Sequence, residues 1–239
     1  MVFLYIFPHP DDESFGPAAV MHAQREQGHD VHLLTLTRGG ATLQRHRLGL
    51  SVEDMGVVRL EEMRAVQRCL DLSSMTVLDM PDNGLKDLDP RVIERVVEEH
   101  ILALEPDVLV TYAVHGVSGF HDHLVTHAVV KRVFVTLRER EGYRPRRLAL
   151  LTLPDAGGSA FQNGQIRLKH STEDDIDCAV PLREADIAAM KSALSCYATY
   201  QQTIEESGVV EKVGTTLYFE FFDESFLPPL ERLDAQLPQ

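Results

Sequence analysis

The sequence predicts an α/β fold, a Rossmann-like three-layer sandwich in which helices flank a mostly parallel sheet. An apolar run over residues 2–7 has the composition of a buried strand, and residues 14–27 follow it with a helical pattern. A second apolar run, residues 31–37, completes a strand–helix–strand unit, which is how parallel neighbours are joined. Strand and helix patterns keep alternating as far as residue 153, which is typical of a parallel sheet covered on both faces.

The remaining elements follow from hydrophobic spacing and from helix start signals such as Pro90, which suits the first helical position. Residues 41–56 show no clear period, and we expect a long loop or a short helix over the site. The later elements are expected, in order, as a helix at 57–70, a strand at 75–78, a helix at 91–104, a strand at 107–112, a helix at 122–140 and a strand at 148–153.

The C-terminal part of the chain has a different character. Residues 154–180 are rich in glycine, asparagine and aspartate, and we expect one strand there, over 165–169. A long helix is expected over 184–204 and a last strand over 215–222. Because we find no linker, repeat or low-complexity block, we predict a single domain over residues 1–239.

Composition argues against several classes of partner. The formal net charge of −14 opposes binding to nucleic acid or to anionic membrane surfaces, both of which need clustered Lys and Arg. The three cysteines are odd in number and far apart, and we interpret them as reduced thiols. Without a bilayer-length apolar run or a convincing signal peptide, we expect a cytoplasmic protein, and we expect a homo-oligomer with no nucleic-acid or membrane partner.

The most informative stretch is residues 8–13, PHPDDE, which directly follows the first predicted strand. In open α/β sheets, ligands bind outside the carboxyl ends of the strands. One imidazole and three carboxylates in a loop stiffened by two prolines suit a divalent cation such as zinc. The alternative is an acidic helix cap, which explains one of the acids but neither His9 nor three consecutive carboxylates.

The loops after the first, third and fourth predicted strands all carry acids or imidazoles, and such loops converge at one edge of the sheet. Two histidines and one carboxylate with an open position form the pattern of a catalytic zinc site. We therefore predict His9, Asp12 and His123 as metal ligands. Asp11, adjacent to a ligand, is predicted to take the proton of a water molecule that the metal activates.

Two other histidines leave alternatives open. His127 lies four residues after His123 on the same helix face, and it either binds the metal too or packs behind it. His121 either donates a hydrogen bond to an oxyanion or is a solvated loop residue. Since GxGxxG, Walker A, HExxH and GxSxG motifs are absent from the sequence, the residues alone indicate a metallohydrolase-like α/β protein.

The PHPDDE stretch is similar to the hallmark of the LmbE-like (PIG-L) N-deacetylase family. Further matches to that family follow in the same order along the chain, namely LTRG at 36–39, an RxxE helix at 59–62, PDNGL at 81–85, PDV at 106–108 and GFHDH at 119–123. Members are zinc-dependent hydrolases that remove acetyl groups from N-acetylglucosamine-type amides. The resemblance therefore implies a deacetylase acting on a small N-acetylated sugar conjugate.

Carried over by position, the resemblance implies the same ligand set, with Zn²⁺ or alternatively Fe²⁺ as the metal, and Asp11 as general base. It adds two substrate contacts, Arg59 and Asp82, to the sugar or its substituent. Two departures matter: Gly40 stands where the family often has Glu after LTxG, and the family's HPDH appears here as FHDH. Phe120 replaces the histidine that helps to stabilise the oxyanion, and His121 stands one place later. A rival hypothesis is therefore a catalytically impaired metal- or sugar-binding protein of the same fold.

Overall fold

The computed structural model describes residues 1–155, 162–163 and 166–238. The strands are β1 (Val2–Phe7), β2 (Asp30–Thr37), β3 (Ser74–Met80), β4 (Val108–Tyr112), β5 (Arg147–Thr152), β6 (Gln162–Asn163), β7 (Ile166–Arg167), β8 (Cys178–Pro181) and β9 (Thr216–Phe221). The α-helices are α1 (Pro17–Glu26), α2 (Gln44–Leu48), α3 (Val52–Cys69), α4 (Pro90–Leu104), α5 (His121–Arg138), α6 (Glu184–Ser195), α7 (Gln201–Ser207) and α8 (Val209–Val213).

Seven strands form the main sheet, in the order β3-β2-β1-β4-β5-β9-β8. Strands β1 to β5 pair in parallel, whereas β9 runs antiparallel to both β5 and β8. The predicted Rossmann-like, mostly parallel α/β sheet is confirmed. Since β1 has β2 on one side and β4 on the other, the strand order reverses at β1, and ligand sites form at such a reversal.

Successive side chains along the strands point to opposite faces of the sheet, and each face has its own hydrophobic core. Phe3, Tyr5 and Phe7 of β1 pack in the core that also contains α1, α3 and α6. Leu4 and Ile6 pack in the core on the opposite face, with α4 and α5. Because both faces are covered, β1 is apolar throughout rather than alternating with polar residues.

Two helix boundaries near the predicted site differ from the sequence-based expectation. Helix α1 begins at Pro17 rather than near residue 14, because the backbone forms a turn before it and Gly16 has φ 128°. Residues 41–56, expected as a loop or short helix, contain α2 and the start of α3. The Ser51 hydroxyl caps α3 by accepting a hydrogen bond from the Asp54 N–H at 3.0 Å.

The C-terminal part differs more. The helix expected over 184–204 is two helices, α6 and α7, separated by a break. At the break, the Thr199 N–H and hydroxyl both donate to the Glu62 carboxylate, at 2.7 and 2.9 Å, so tertiary contacts replace helical ones. Strand β8 was not predicted. The strand expected over 165–169 corresponds to β7 in its described part, and residue 165 lies outside the described residues.

None of the described helices combines the length and the hydropathy that a bilayer-spanning helix requires.

Candidate active site

The PHPDDE stretch forms a tight turn between β1 and α1. The carbonyl of Asp11 accepts the N–H groups of Ser14 and Phe15 at 2.8 and 3.1 Å, and Asp11 itself has φ 81°. Aspartate tolerates this left-handed region better than most residues do. The turn is the reason that consecutive aspartates, Asp11 and Asp12, both face the same cavity.

The three predicted metal ligands lie together. His9 Nδ1 is 3.5 Å from Asp12 Oδ2, and His123 Nε2 is 3.4 Å from Asp12 Oδ1. One ligand atom from each residue lies within 4.8 Å of the others. Two neutral imidazoles and a carboxylate are the donor set of catalytic zinc sites, so the residues present fit a divalent ion.

Each imidazole is also held through its other ring nitrogen. His123 Nδ1–H donates to the Gly116 carbonyl at 2.9 Å, and His9 Nε2 lies 3.1 Å from Asp122 Oδ2. Gly116 has φ 63°, and a Cβ there would lie 2.8 Å from His123 Cβ, so a side chain would displace the imidazole. Hydrogen bonds of this kind fix the tautomer and orientation of metal-binding histidines.

Asp122 is a structural anchor that the sequence reasoning did not assign. Its carboxylate is 2% exposed and accepts the N–H groups of Asn83 and Leu85 at 2.8 and 3.2 Å. Tyr112 was missed as well, and its hydroxyl donates to Asp12 Oδ1 at 2.7 Å. Asp122 could have been found from its position between His121 and His123, whereas nothing in the sequence singles out Tyr112.

His9, Asp82 and Asp122 form a second group that could hold a cation. In this group Asp122 already accepts two backbone N–H groups, and Asp82 Oδ2 accepts the Ala41 N–H at 2.7 Å. Their remaining contact is with His9 Nε2. We therefore interpret these two carboxylates as partners that orient His9, and the group with His123 as the metal site.

The charges around His9 favour a positive group in the cluster. Burial lowers the pKa of His9, but hydrogen bonds to Asp12 and Asp122 outweigh burial and raise it to about 10. Burial raises the pKa of Asp12, but the charge of His123 and the hydrogen bond from His9 lower it to about 2. Carboxylates that raise the proton affinity of His9 favour positive charge in the cluster, and a divalent cation that binds there displaces the His9 proton and leaves a neutral imidazole ligand.

Asp11 is paired with Arg59. The Arg59 Nη2 atom lies 3.2 Å from Asp11 Oδ2 and donates to the Pro10 carbonyl at 2.8 Å, and its guanidinium lies 4.0 Å from the centre of the Tyr200 ring. Burial raises the pKa of Asp11 to about 6, against the opposing charge of Arg59. Asp11 is therefore a carboxylate whose proton affinity suits exchange near neutral pH.

These groups line a cavity of about 620 Å³. All of the predicted ligands, Asp11 and the two predicted substrate contacts, Arg59 and Asp82, contribute to its wall. Arg59 is only 2% exposed, and its guanidinium contacts Asp11 together with the Pro10 carbonyl and the Tyr200 ring. His127 is buried, its Nδ1–H donates to the Tyr112 carbonyl at 2.8 Å, and it belongs to neither group of described residues that could hold a metal, in agreement with the packing alternative.

The FHDH variation places an aromatic ring at the cavity. Phe120 lines the wall, is 47% exposed, and contacts His123 edge-on with ring centroids 5.6 Å apart. His121 is exposed at the start of α5 and is not among the described residues that line the cavity. Its predicted role toward an oxyanion stays a prediction.

Comparison with known proteins identifies the family. The family model described as GlcNAc-PI de-N-acetylase (PIG-L) matches residues 4–134. The chain belongs to the PIG-L family. This PIG-L protein is similar to the Kineococcus radiotolerans 1D-myo-inositol 2-acetamido-2-deoxy-alpha-D-glucopyranoside deacetylase, with 30% identity over 55% of this chain and 44% of the relative. It is also similar to the Bacillus subtilis probable N-acetyl-alpha-D-glucosaminyl L-malate deacetylase 2, with 28% identity over 62% of this chain and 66% of the relative. The matched part thus spans less than two thirds of either relative.

Solved structures share the fold of this PIG-L protein. The Pseudomonas putida 4-carboxy-2-hydroxymuconate hydratase GalB has a TM-score of 0.72 with 15% identity, over 95% of this chain and 98% of its own. The Pyrococcus horikoshii N,N'-diacetylchitobiose deacetylase has a TM-score of 0.66 with 16% identity, over 92% of this chain and 83% of its own. At these identities the likeness concerns the fold alone.

Proposed function

We propose that this PIG-L protein is a zinc-dependent N-deacetylase that acts on an N-acetylglucosamine-type amide, a small N-acetylated sugar conjugate. The observation that carries the proposal is the cluster of His9, Asp12 and His123 on one cavity with Asp11. The names of the two relatives, both deacetylases of N-acetylated glucosamine conjugates, support it. The whole chain, residues 1–239, would act as one domain.

His9, Asp12 and His123 would hold the metal. When bound, zinc supplies Lewis-acid polarisation of the amide carbonyl and lowers the pKa of water to about 7. Fe²⁺ is the alternative metal, since imidazole and carboxylate ligands also suit it. Asp122, through His9, and the Gly116 carbonyl, through His123, keep the imidazoles in orientation.

Asp11 serves as the general base and then as the general acid. Its carboxylate takes a proton from the attacking water and returns it to the amine nitrogen as the C–N bond breaks. Arg59, through its contact at 3.2 Å, keeps Asp11 in place and partly offsets the effect of burial on its pKa. A base of this kind contributes about 10² to 10⁴ in rate.

The sugar lies on the side of the cavity formed by the ends of β2 and β3. Asp82 and Asn83, after β3, and Thr42, after β2, line it there together with Arg59. Carboxylate, amide and hydroxyl groups can satisfy the hydroxyls of a sugar as they leave water, which an apolar wall cannot do.

The second candidate function is a metal- or sugar-binding protein with impaired catalysis. The observation that favours it is Phe120, which lines the cavity but offers no hydrogen-bond donor to a developing oxyanion. Under this alternative the metal still binds at His9, Asp12 and His123, but amides are not hydrolysed at an enzymatic rate.

The decisive experiment measures free amine and acetate from zinc-loaded protein and a panel of N-acetylglucosamine conjugates. Stoichiometric release of both products, lost in a chelated sample and in His123→Ala, is the expected result. Saturable sugar binding without product would favour the binding protein. The absence of both binding and turnover across the panel would contradict both functions.

We also propose a cytoplasmic homo-oligomer that binds neither nucleic acid nor membranes, and light scattering during size-exclusion chromatography tests the oligomeric state.

A further inference from the structure

The cavity has two chemically different sides, separated by the metal ligands. His9 follows β1 and His123 follows β4, and these two strands are neighbours near the middle of the sheet. The polar groups that would contact the sugar follow β2 and β3, on one side of this pair. Strands β5 and β9 lie on the other side, so whatever extends across the metal from the sugar meets these strands.

On the side of β5 and β9, apolar side chains line the cavity. We define the apolar arm as the part of the cavity lined by Phe15, Leu151, Leu153, Leu168, Val213 and Leu217. Leu151 of β5 and Leu217 of β9 are 5% and 3% exposed. Leu217 and Val213 meet at Gly16, where a Cβ would lie 3.0 and 3.5 Å from their methyl carbons. Gly16 follows the PHPDDE turn, so the apolar arm begins next to the metal ligands.

Ser207 and Lys212, two polar residues of the cavity wall close to the apolar arm, already have partners. The Ser207 hydroxyl donates to the Ile204 carbonyl at 2.6 Å, and Lys212 Nζ donates to the Ser207 carbonyl. A sugar placed against these leucines would bury hydroxyls without hydrogen bonds, which is unfavourable. A hydrocarbon chain placed there would instead gain the free energy of leaving water.

We propose that the preferred substrate carries an N-acyl chain longer than acetyl, a medium-length linear alkanoyl group that occupies the apolar arm. This inference rests on the proposed function and specifies its acyl group. A secondary amide is planar and trans, so its acyl chain and its nitrogen substituent point in opposite directions. With the carbonyl at the metal ligands and the sugar over β2 and β3, the acyl chain extends over β5 and β9.

The test compares zinc-loaded protein on N-acetyl-, N-butanoyl-, N-hexanoyl- and N-octanoylglucosamine that share one small aglycone, with free amine as the readout. We expect kcat/KM to rise about fourfold for each buried methylene until the apolar arm is filled. Val213→Phe narrows the arm, and we expect it to lower the hexanoyl-to-acetyl ratio of kcat/KM at least tenfold. Val114→Phe, at a 64% exposed position outside the cavity, is the matched control and should keep the wild-type ratio.

Three outcomes would overturn the inference in distinguishable ways. If kcat/KM is flat or falls from acetyl to hexanoyl while acetyl is hydrolysed, the acyl assignment is wrong and the proposed function stands. If kcat/KM rises with the alkyl length of alkyl N-acetylglucosaminides and not with the acyl chain, the apolar arm holds an aglycone. If no amide in either series is hydrolysed, the proposed function fails and the inference falls with it.

Discussion

Replacing Asp11 by asparagine removes proton transfer while leaving the backbone of the metal-binding turn in place. Asp11 has φ 81°, a conformation that asparagine tolerates and that would strain alanine. The substitution is nearly isosteric, and Arg59 keeps its hydrogen bond to the Pro10 carbonyl and its contact with the Tyr200 ring. Asp11→Asn is therefore the substitution that best separates catalysis from folding.

The expected loss follows from the role of a general base. Burial raises the pKa of Asp11 to about 6, so the carboxylate predominates at neutral pH and can accept a proton. An amide cannot, and loss of a positioned base costs about 10² to 10⁴ in rate, or about 3 to 5 kcal/mol in the activation free energy. Since Asp11 is not a metal ligand in this account, the metal content should stay at the wild-type value.

The assay combines initial rates of amine release with elemental analysis and thermal unfolding of the same samples. Asp87→Asn is the matched control, because it makes the same chemical change at a side chain that is 71% exposed. A folded, metal-loaded Asp11→Asn protein with turnover within threefold of wild type would refute the assignment of Asp11 as the base. Loss of the metal together with activity would instead place Asp11 among the ligands.

Three further predictions concern other groups. Phe120→His should raise turnover about tenfold or more by adding a donor at the cavity wall, and unchanged rates would show that the oxyanion does not form there. Asp122→Asn should weaken zinc binding about 10- to 100-fold in a competition titration, because it removes the carboxylate that orients His9, and an unchanged affinity would exclude that role. Asp186→Asn should lower the free energy of unfolding by about 2 kcal/mol in urea melts, because the buried carboxylate accepts hydrogen bonds from Arg183 and from His22. Burial raises the pKa of Asp186, but the hydrogen bonds from Arg183 and His22 together outweigh burial and lower it, so the stabilisation is present above about pH 4 and the difference between the proteins should shrink as the pH falls further. A pH-independent difference would contradict this last explanation.

The parallel half of the fold could be predicted because its strands are buried on both faces. The apolar runs at β1, β2 and β4 leave little choice of structure, and hydrophobic spacing locates the helices between them. The start of α3 was predictable in principle, since Ser51 and Asp54 have the spacing of a helix cap.

The C-terminal part could not be predicted in the same way, because tertiary contacts decide it. Tyr197 is fully buried and donates its hydroxyl to Glu13 at 2.6 Å, which holds the end of α6 against the PHPDDE turn. The Glu62 carboxylate then binds Thr199 where a continuous helix would have run. The partners of these contacts come from distant parts of the chain, so no local pattern indicates the break.

The sequence was enough to select candidate ligands that the structure brings together, but it did not indicate the groups that support them. Residue type and strand-end position were enough to select His9, Asp12 and His123, because few side chains bind divalent cations. Tyr112 and Gly116 support these ligands through one hydroxyl and one backbone carbonyl, which carry no such chemical signature. The sequence does not indicate the apolar arm either, because its leucines look like ordinary core residues. Only the fold shows that they line the same cavity as the candidate metal ligands.

The central claim is that imidazoles from two distant segments and one aspartate bind a single divalent ion. The most direct measurement is the metal content of purified protein, by elemental analysis, for wild type and for His9→Ala, Asp12→Ala and His123→Ala that retain the wild-type circular dichroism spectrum. We predict one zinc or ferrous ion per wild-type chain and its loss in each variant. A folded His123→Ala protein that keeps one tightly bound ion per chain would contradict the account.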